Sequence, residues 1–141
     1  MLHHHYKKRK KKSPIPPGAA ITEAAGELAA KKIGALIVSE TGRGVDGIIS
    51  ERDIVRKLAS DGAKCLDLKV SDAMITKVMT CDPHDSAVSV LQRMSDGRFR
   101  HMPVVEDGAL LGVISIGDVV KARMDEIEHE NQAMEDMIKG V

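Results

Sequence analysis

The chain has 141 residues, enough for one compact domain or two very small ones, and 43% of them are hydrophobic, which supports a real core. Only Tyr6 and Phe99 are aromatic, so that core must be built from Ala, Val, Ile, Leu and some of the eight Met, a residue that fills irregular gaps. The 21 basic and 21 acidic residues cancel, but six of the basic ones form a single run at 7–12; the remainder carries 15 basic against 21 acidic residues, a net of −6, and an acidic body without an aromatic platform argues against nucleic acid as a partner for the folded part.

In chain order, residues 1–12 combine a His run with a Lys/Arg run and read as a disordered arm or expression remnant, the alternative being a basic arm for nucleic acid, a membrane surface or nuclear import. A short strand then leads into Pro17. A helix follows with Ile21, Ala24, Ala25 and Leu28 at helical spacing. Next come a strand at 35–39, a glycine-bearing turn at 41–44, a strand at 45–50 and a helix. The same series recurs: a strand into Pro83, a helix with Ala87, Val90, Leu91 and Met94, a strand at 102–105, a turn at 106–108, a strand at 110–115 and a closing helix. No apolar stretch reaches the length of a membrane span. Cys65 and Cys81 show no CxxC spacing and read as reduced thiols of a cytoplasmic protein.

The recurrence is residue by residue. Pro17 aligns with Pro83, Leu28 with Met94, Ile33 with Phe99, Val38 with Val104 and Glu40 with Glu106. Gly47-Ile48-Ile49-Ser50 aligns with Gly112-Val113-Ile114-Ser115, and Asp53 with Asp118. The fold class is therefore α/β (α+β): two tandem β-α-β-β-α repeats, 13–70 and 71–141, packed together, with a long C-terminal helix. One such unit is too small to bury both faces of its sheet. Two copies make one core and create clefts where they meet.

Each copy carries Gly-x-x-Ser-x-x-Asp at a strand-to-helix junction. One reading is purely structural: the serine caps the helix and the acid at its third position completes a capping box. The other is chemical. A helix N-terminus attracts anions, a hydroxyl there can bind phosphate or sugar, and a carboxylate can accept hydrogen bonds from a ribose diol. The second copy adds Arg98-Phe99-Arg100-His101-Met102-Pro103, whose Arg and His side chains suit phosphate.

These motifs resemble tandem CBS domains, the Bateman module, over roughly 13–124. The resemblance implies adenosine ligands (AMP, ADP or ATP foremost, with NAD(H) or S-adenosylmethionine as further candidates), no required cofactor, a homodimer and an unknown regulated protein. Carried onto this chain, it gives Asp53 and Asp118 the ribose hydroxyls and Ser50 and Ser115 the ribose or phosphate. Arg100 and His101, with Arg52 as a lesser contributor, would take phosphate. Thr76 and Val78 would flank adenine, and Ile33, Gly34 and Ala35 would line the cleft. Gly34-Ala35 stand where the second copy has Arg100-His101, so the two sites should be unequal, with Asp118 serving the better one.

The last helix should run from about 117 to 139, with Val120, Met124, Ile127, Asn131, Met134 and Ile138 stepping by four and three. That is a heptad seam with Asn where register is set, and it suggests a dimer contact. Two rival readings remain at this point. One is a structural protein that dimerises through this helix and binds no nucleotide. The other is a hydrolase using Ser115, His101 and Asp118, against which stands the lack of a Gly-x-Ser-x-Gly elbow. Neither the His residues nor the cysteines show metal-ligand spacing.

Overall fold

The structure is a computed structural model that describes Lys7–Lys8 and residues 14–140. Its elements are β1 (Lys7–Lys8), α1 (Ile21–Lys31), β2 (Ala35–Val38), β3 (Gly47–Ser50), α2 (Glu51–Asp61), α3 (Ala87–Gly97), β4 (His101–Glu106), β5 (Ala109–Ser115) and α4 (Ile116–Ile138). Two short 3-10 turns, Ala63–Asp67 and Val70–Asp72, connect α2 to the second half.

Both repeats form as the periodicity predicts. On α1 the residues Ile21, Ala24 and Leu28 are buried, and on α3 Ala87, Val90 and Met94; these are the apolar positions of an amphipathic helix. Each helix ends on a cation in the left-handed region, Lys32 at φ 53° and Arg98 at φ 57°. β2 pairs antiparallel with β3, and β4 with β5.

The strands expected ahead of Pro17 and Pro83 shrink to single parallel bridges, Ile15 to Val38 and Cys81 to Val104. Ile15 N–H donates to the Ile37 carbonyl at 3.0 Å and Cys81 N–H to the Pro103 carbonyl at 2.9 Å. Pro14, Pro16, Pro17 and Pro83 crowd these positions, and proline lacks the N–H that a longer ladder needs.

The outer edges are covered crosswise. In the first repeat, Ile75 from the linker bridges Ile48 of β3, with reciprocal hydrogen bonds of 3.0 and 2.9 Å. At the matching edge of the second repeat, Lys7 and Lys8 pair with Val113 and Gly112 of β5. Within the segment expected to be a disordered arm, these two residues thus belong to a sheet; the rest of that segment lies outside the described residues.

Three apolar clusters result. One holds the first repeat together around Ile15, Leu28, Val38 and Ile49, and a second does so for the other repeat around Val90, Met94, Val104 and Ile114. The third joins them: Ala35, Ile37 and Ile48 of the first repeat pack with Leu110 of the second, with Val78, Val105 and Val113 alongside. The Leu110 N–H donates to the Arg43 carbonyl across the same boundary at 3.0 Å.

Gly47 is required by the crosswise pairing. A Cβ there would lie 2.8 Å from the Ile75 carbonyl oxygen and 2.8 Å from Met74 Sδ, whereas one at Gly44 would meet nothing within 4 Å. Gly47→Ala should cost about 1–3 kcal/mol by overpacking and Gly44→Ala less than about 0.5, read as urea midpoints.

Burial pushes the Cys81 thiol up to about 11 from its ordinary 9.0. A folded-state value above the unfolded one means that the stabilisation is complete below pH 9 and fades as pH rises towards 11. The urea midpoint should therefore fall further between pH 8 and pH 11 in the wild type than in Cys81→Ala.

Candidate functional site

The two Gly-x-x-Ser-x-x-Asp motifs fold alike. Ser50 is extended (φ −115°, ψ 168°), and its hydroxyl accepts from the Asp53 N–H at 3.3 Å. Asp53 Oδ2 in turn accepts from the Ser50 N–H at 2.8 Å and from the Ser50 hydroxyl at 2.9 Å. In the second repeat the Asp118 N–H donates to Ser115 Oγ at 3.2 Å, and the Ser115 N–H to Asp118 Oδ2 at 3.0 Å. Both motifs are complete capping boxes, so part of their repetition is explained by helix initiation alone. They differ in setting: Asp53 is only 7% exposed, while Asp118 is half-buried.

The strands bring the motifs to the boundary between the repeats. Ala35 faces Ser50 in the β2–β3 register, and His101 faces Ser115 in the β4–β5 register. The Glu51 N–H donates to the Gly34 carbonyl at 3.1 Å, and the Ile116 N–H to the Arg100 carbonyl at 2.9 Å. Gly34 and Arg100 are therefore structural equivalents. Across the boundary the His101 imidazole lies over Gly34, where a Cβ would sit 2.9 Å from its Cε1 and 3.0 Å from its Nε2. Glycine at 34 leaves room for this approach, since a Cβ there would press on the imidazole.

A cavity of about 160 Å³ opens at this junction. Ala35, Ile48 and Ile75 give it an apolar side. Ser50, Glu51 and Asp53 bring the start of α2. Arg52, Arg56, Arg98 and Arg100, with Gly34, Phe99 and His101, complete it. None of these four arginines has a carboxylate partner among the described residues, whereas Arg93 holds Asp85 at 2.7 Å and Arg123 holds Glu126 at 3.3 Å.

Of the residues expected from the sequence, the cavity gathers Gly34, Ala35, Ser50, Arg52, Asp53, Arg100 and His101. Ser115 and Asp118 stand outside it, at the start of α4. Ile33 packs against the first repeat's core, Val78 belongs to the cluster joining the repeats, and Thr76 is exposed. The inequality of the two repeats led to the expectation that Asp118 serves the better site. The cationic residues face the Asp53 end instead, because the start of β4 crosses the boundary and lays His101 over Gly34. Arg98, from the cationic cluster marked out in the sequence, joins them, whereas Arg56, Ile48 and Ile75 carry no such mark. Arg56 follows Asp53 by three on α2, a helical spacing that could have revealed it; no local pattern marks Ile75.

Away from this junction, Asp82, His84 and Glu106 bring one ligand atom each within 4.8 Å of one another. His84 Nε2 lies 3.4 Å from Glu106 Oε2. Asp82 and His84 are neighbours in sequence, and only the pairing of the chain at Cys81 with Val104 brings the distant Glu106 to them.

The family model for the CBS domain matches residues 11–60 and 70–125. The chain belongs to the CBS domain family. Among curated relatives it is 38% identical over 112 residues to the CBS domain-containing protein CBSX3, mitochondrial, of Arabidopsis thaliana, covering 77% of this chain and 54% of that protein. The chain thus spans about half the length of this relative. The crystal structure of the CBS-domain containing protein ATU1752 from Agrobacterium tumefaciens is 47% identical, covers 79% of this chain and 88% of its own, and superposes with a TM-score of 0.75. The CBS domain pair of protein MJ0100, solved with 5-methylthioadenosine and S-adenosyl-L-methionine, is 25% identical, covers 89% and 96%, and has a TM-score of 0.73. No described helix is long and apolar enough to cross a membrane.

The double duty of the motif is testable without any ligand. Ser115→Ala and Ser50→Ala should each lower stability by about 1 kcal/mol through loss of the cap, measured by urea unfolding of the isolated protein.

Proposed function

We propose that this CBS pair is a regulatory module that binds an adenosine ligand between its repeats, AMP, ADP or ATP foremost, and passes the binding event to a partner protein. The observation that carries the proposal is the junction where the Asp53 carboxylate and the start of α2 from one repeat meet Arg100 and His101 from the other. Asp53 is fixed through Oδ2, and Oδ1 takes no part in the capping box. A carboxylate held in this way suits a ribose diol. The guanidinium groups suit phosphate, and Ala35, Ile48 and Ile75 offer an apolar wall to a purine. The cavity is smaller than the roughly 300–1,000 Å³ of drug-sized ligand pockets, so a nucleotide would seat one end there and leave the rest in the open cleft. The adenosine compounds bound by MJ0100 support the ligand class and keep S-adenosylmethionine among the candidates; NAD(H) stays on the resemblance alone.

The reading includes no catalysis. Ser115 and Asp118 hold each other in a capping box, and a hydrolytic relay would require Asp118 behind His101 instead. It also includes a homodimer. On α4 only Val119 and Ala122 are buried against the rest of the chain. Val120, Met124, Ile127, Met134 and Ile138 remain exposed along the expected seam, Met124 at 62% and Ile138 at 83%. An apolar stripe of this length marks an interaction surface. The reading also takes the module to be cytoplasmic, where buried free thiols such as Cys65 and Cys81 stay reduced.

Thermal shift with AMP, ADP, ATP, NAD(H) and S-adenosylmethionine tests the ligand. One of them should stabilise the protein by about 2.7 kcal/mol at a hundredfold excess over its Kd, and Asp53→Ala should remove that shift while Asp118→Ala retains more of it. A flat panel on folded, nucleotide-free protein would transfer the function to the α4 surface. Truncation after Met124 should convert dimers to monomers in light scattering; persistent dimers would show that the seam is not the main interface.

A further inference from the structure

Resting on that adenosine reading, we infer that the Asp53 cleft selects its ligand by phosphate charge, preferring a nucleoside di- or triphosphate to AMP or adenosine. Four guanidinium groups, Arg52, Arg56, Arg98 and Arg100, border this one cleft. None is paired with a carboxylate of the described residues. Two carboxylates, Glu51 and Asp53, share the cleft; Asp53 is already engaged by Ser50. A single phosphate oxygen face takes up one or two guanidinium forks. Four of them suit a chain of phosphates.

Comparison of the two repeats supports selection over generic basicity. The cleft residues Arg52, Arg56, Arg98 and Arg100 align with Gly117, Lys121, Lys32 and Gly34. Two of the four cations thus have no side-chain counterpart, and the other two become lysine, which lacks the bidentate fork. Arg98 also sits in the left-handed region at φ 57°, where glycine or asparagine would be less strained. Its repeat equivalent Lys32 shares this backbone at φ 53° but carries no guanidinium fork.

The test is calorimetric titration of the full chain with adenosine, AMP, ADP and ATP in magnesium-free buffer, repeated on the Arg56→Gln/Arg98→Gln double variant. Both substitutions are at exposed positions, and a melting curve verifies that the variant is folded. Affinity should rise from adenosine to ATP by at least tenfold, fall with added salt, and lose roughly tenfold for each lost guanidinium contact in the variant, with adenosine binding unchanged. Affinities equal within threefold along the series, or an ATP affinity unmoved by the double substitution, would overturn charge selection and leave the adenosine reading standing. Binding by none of the four, on protein freed of copurified nucleotide, would overturn the adenosine reading and this inference with it.

Discussion

Ala35, Ile37 and Ile48 from one repeat close against Leu110 from the other, with Val105 and Val113 beside them, and the remaining architecture follows from that seam. Each sheet has two or three strands, too few to be stable with a bare face. The other repeat supplies the apolar cover. Burying the inner faces together fixes the distance between the two strand-to-helix junctions and sets the cleft at their boundary. A polar substitution in the seam would therefore act on the site as well as on stability.

Crosswise pairing reinforces the seam. The linker residue Ile75 completes the edge of β3, and the basic segment at Lys7–Lys8 completes the edge of β5. Each edge is covered by the stretch of chain that leads towards the other repeat, which removes two exposed strand edges at once. Gly47 is the point where this arrangement leaves no room for a side chain.

The repeated Ser-x-x-Asp serves two demands with one geometry. As a capping box it satisfies backbone donors at the start of α2 and α4. The same box holds the carboxylate in one orientation, so that a ligand would not have to order it. Duplication then leaves room for divergence. Both helices are capped, yet the residues around them differ: Asp53 is buried beside four arginines while Asp118 is half-buried.

The sequence by itself determined the repeats, the apolar faces of α1 and α3, the capping motifs and the extent of α4 to within about a residue, because each is encoded by spacing of two, three or four along the chain. It also supplied the cationic cluster and the equivalence of Gly34-Ala35 with Arg100-His101. Only the tertiary structure decided which Ser-x-x-Asp that cluster joins, and it chose Asp53. That choice depends on how one repeat is laid against the other, with His101 over Gly34 and Ile75 across β3, and contacts between residues 27 or more apart leave no periodic trace in a sequence. For the same reason the parts played by Arg56 and Ile75 show only in the folded chain, where Pro14, Pro16, Pro17 and Pro83 also account for leading strands that stop after one bridge.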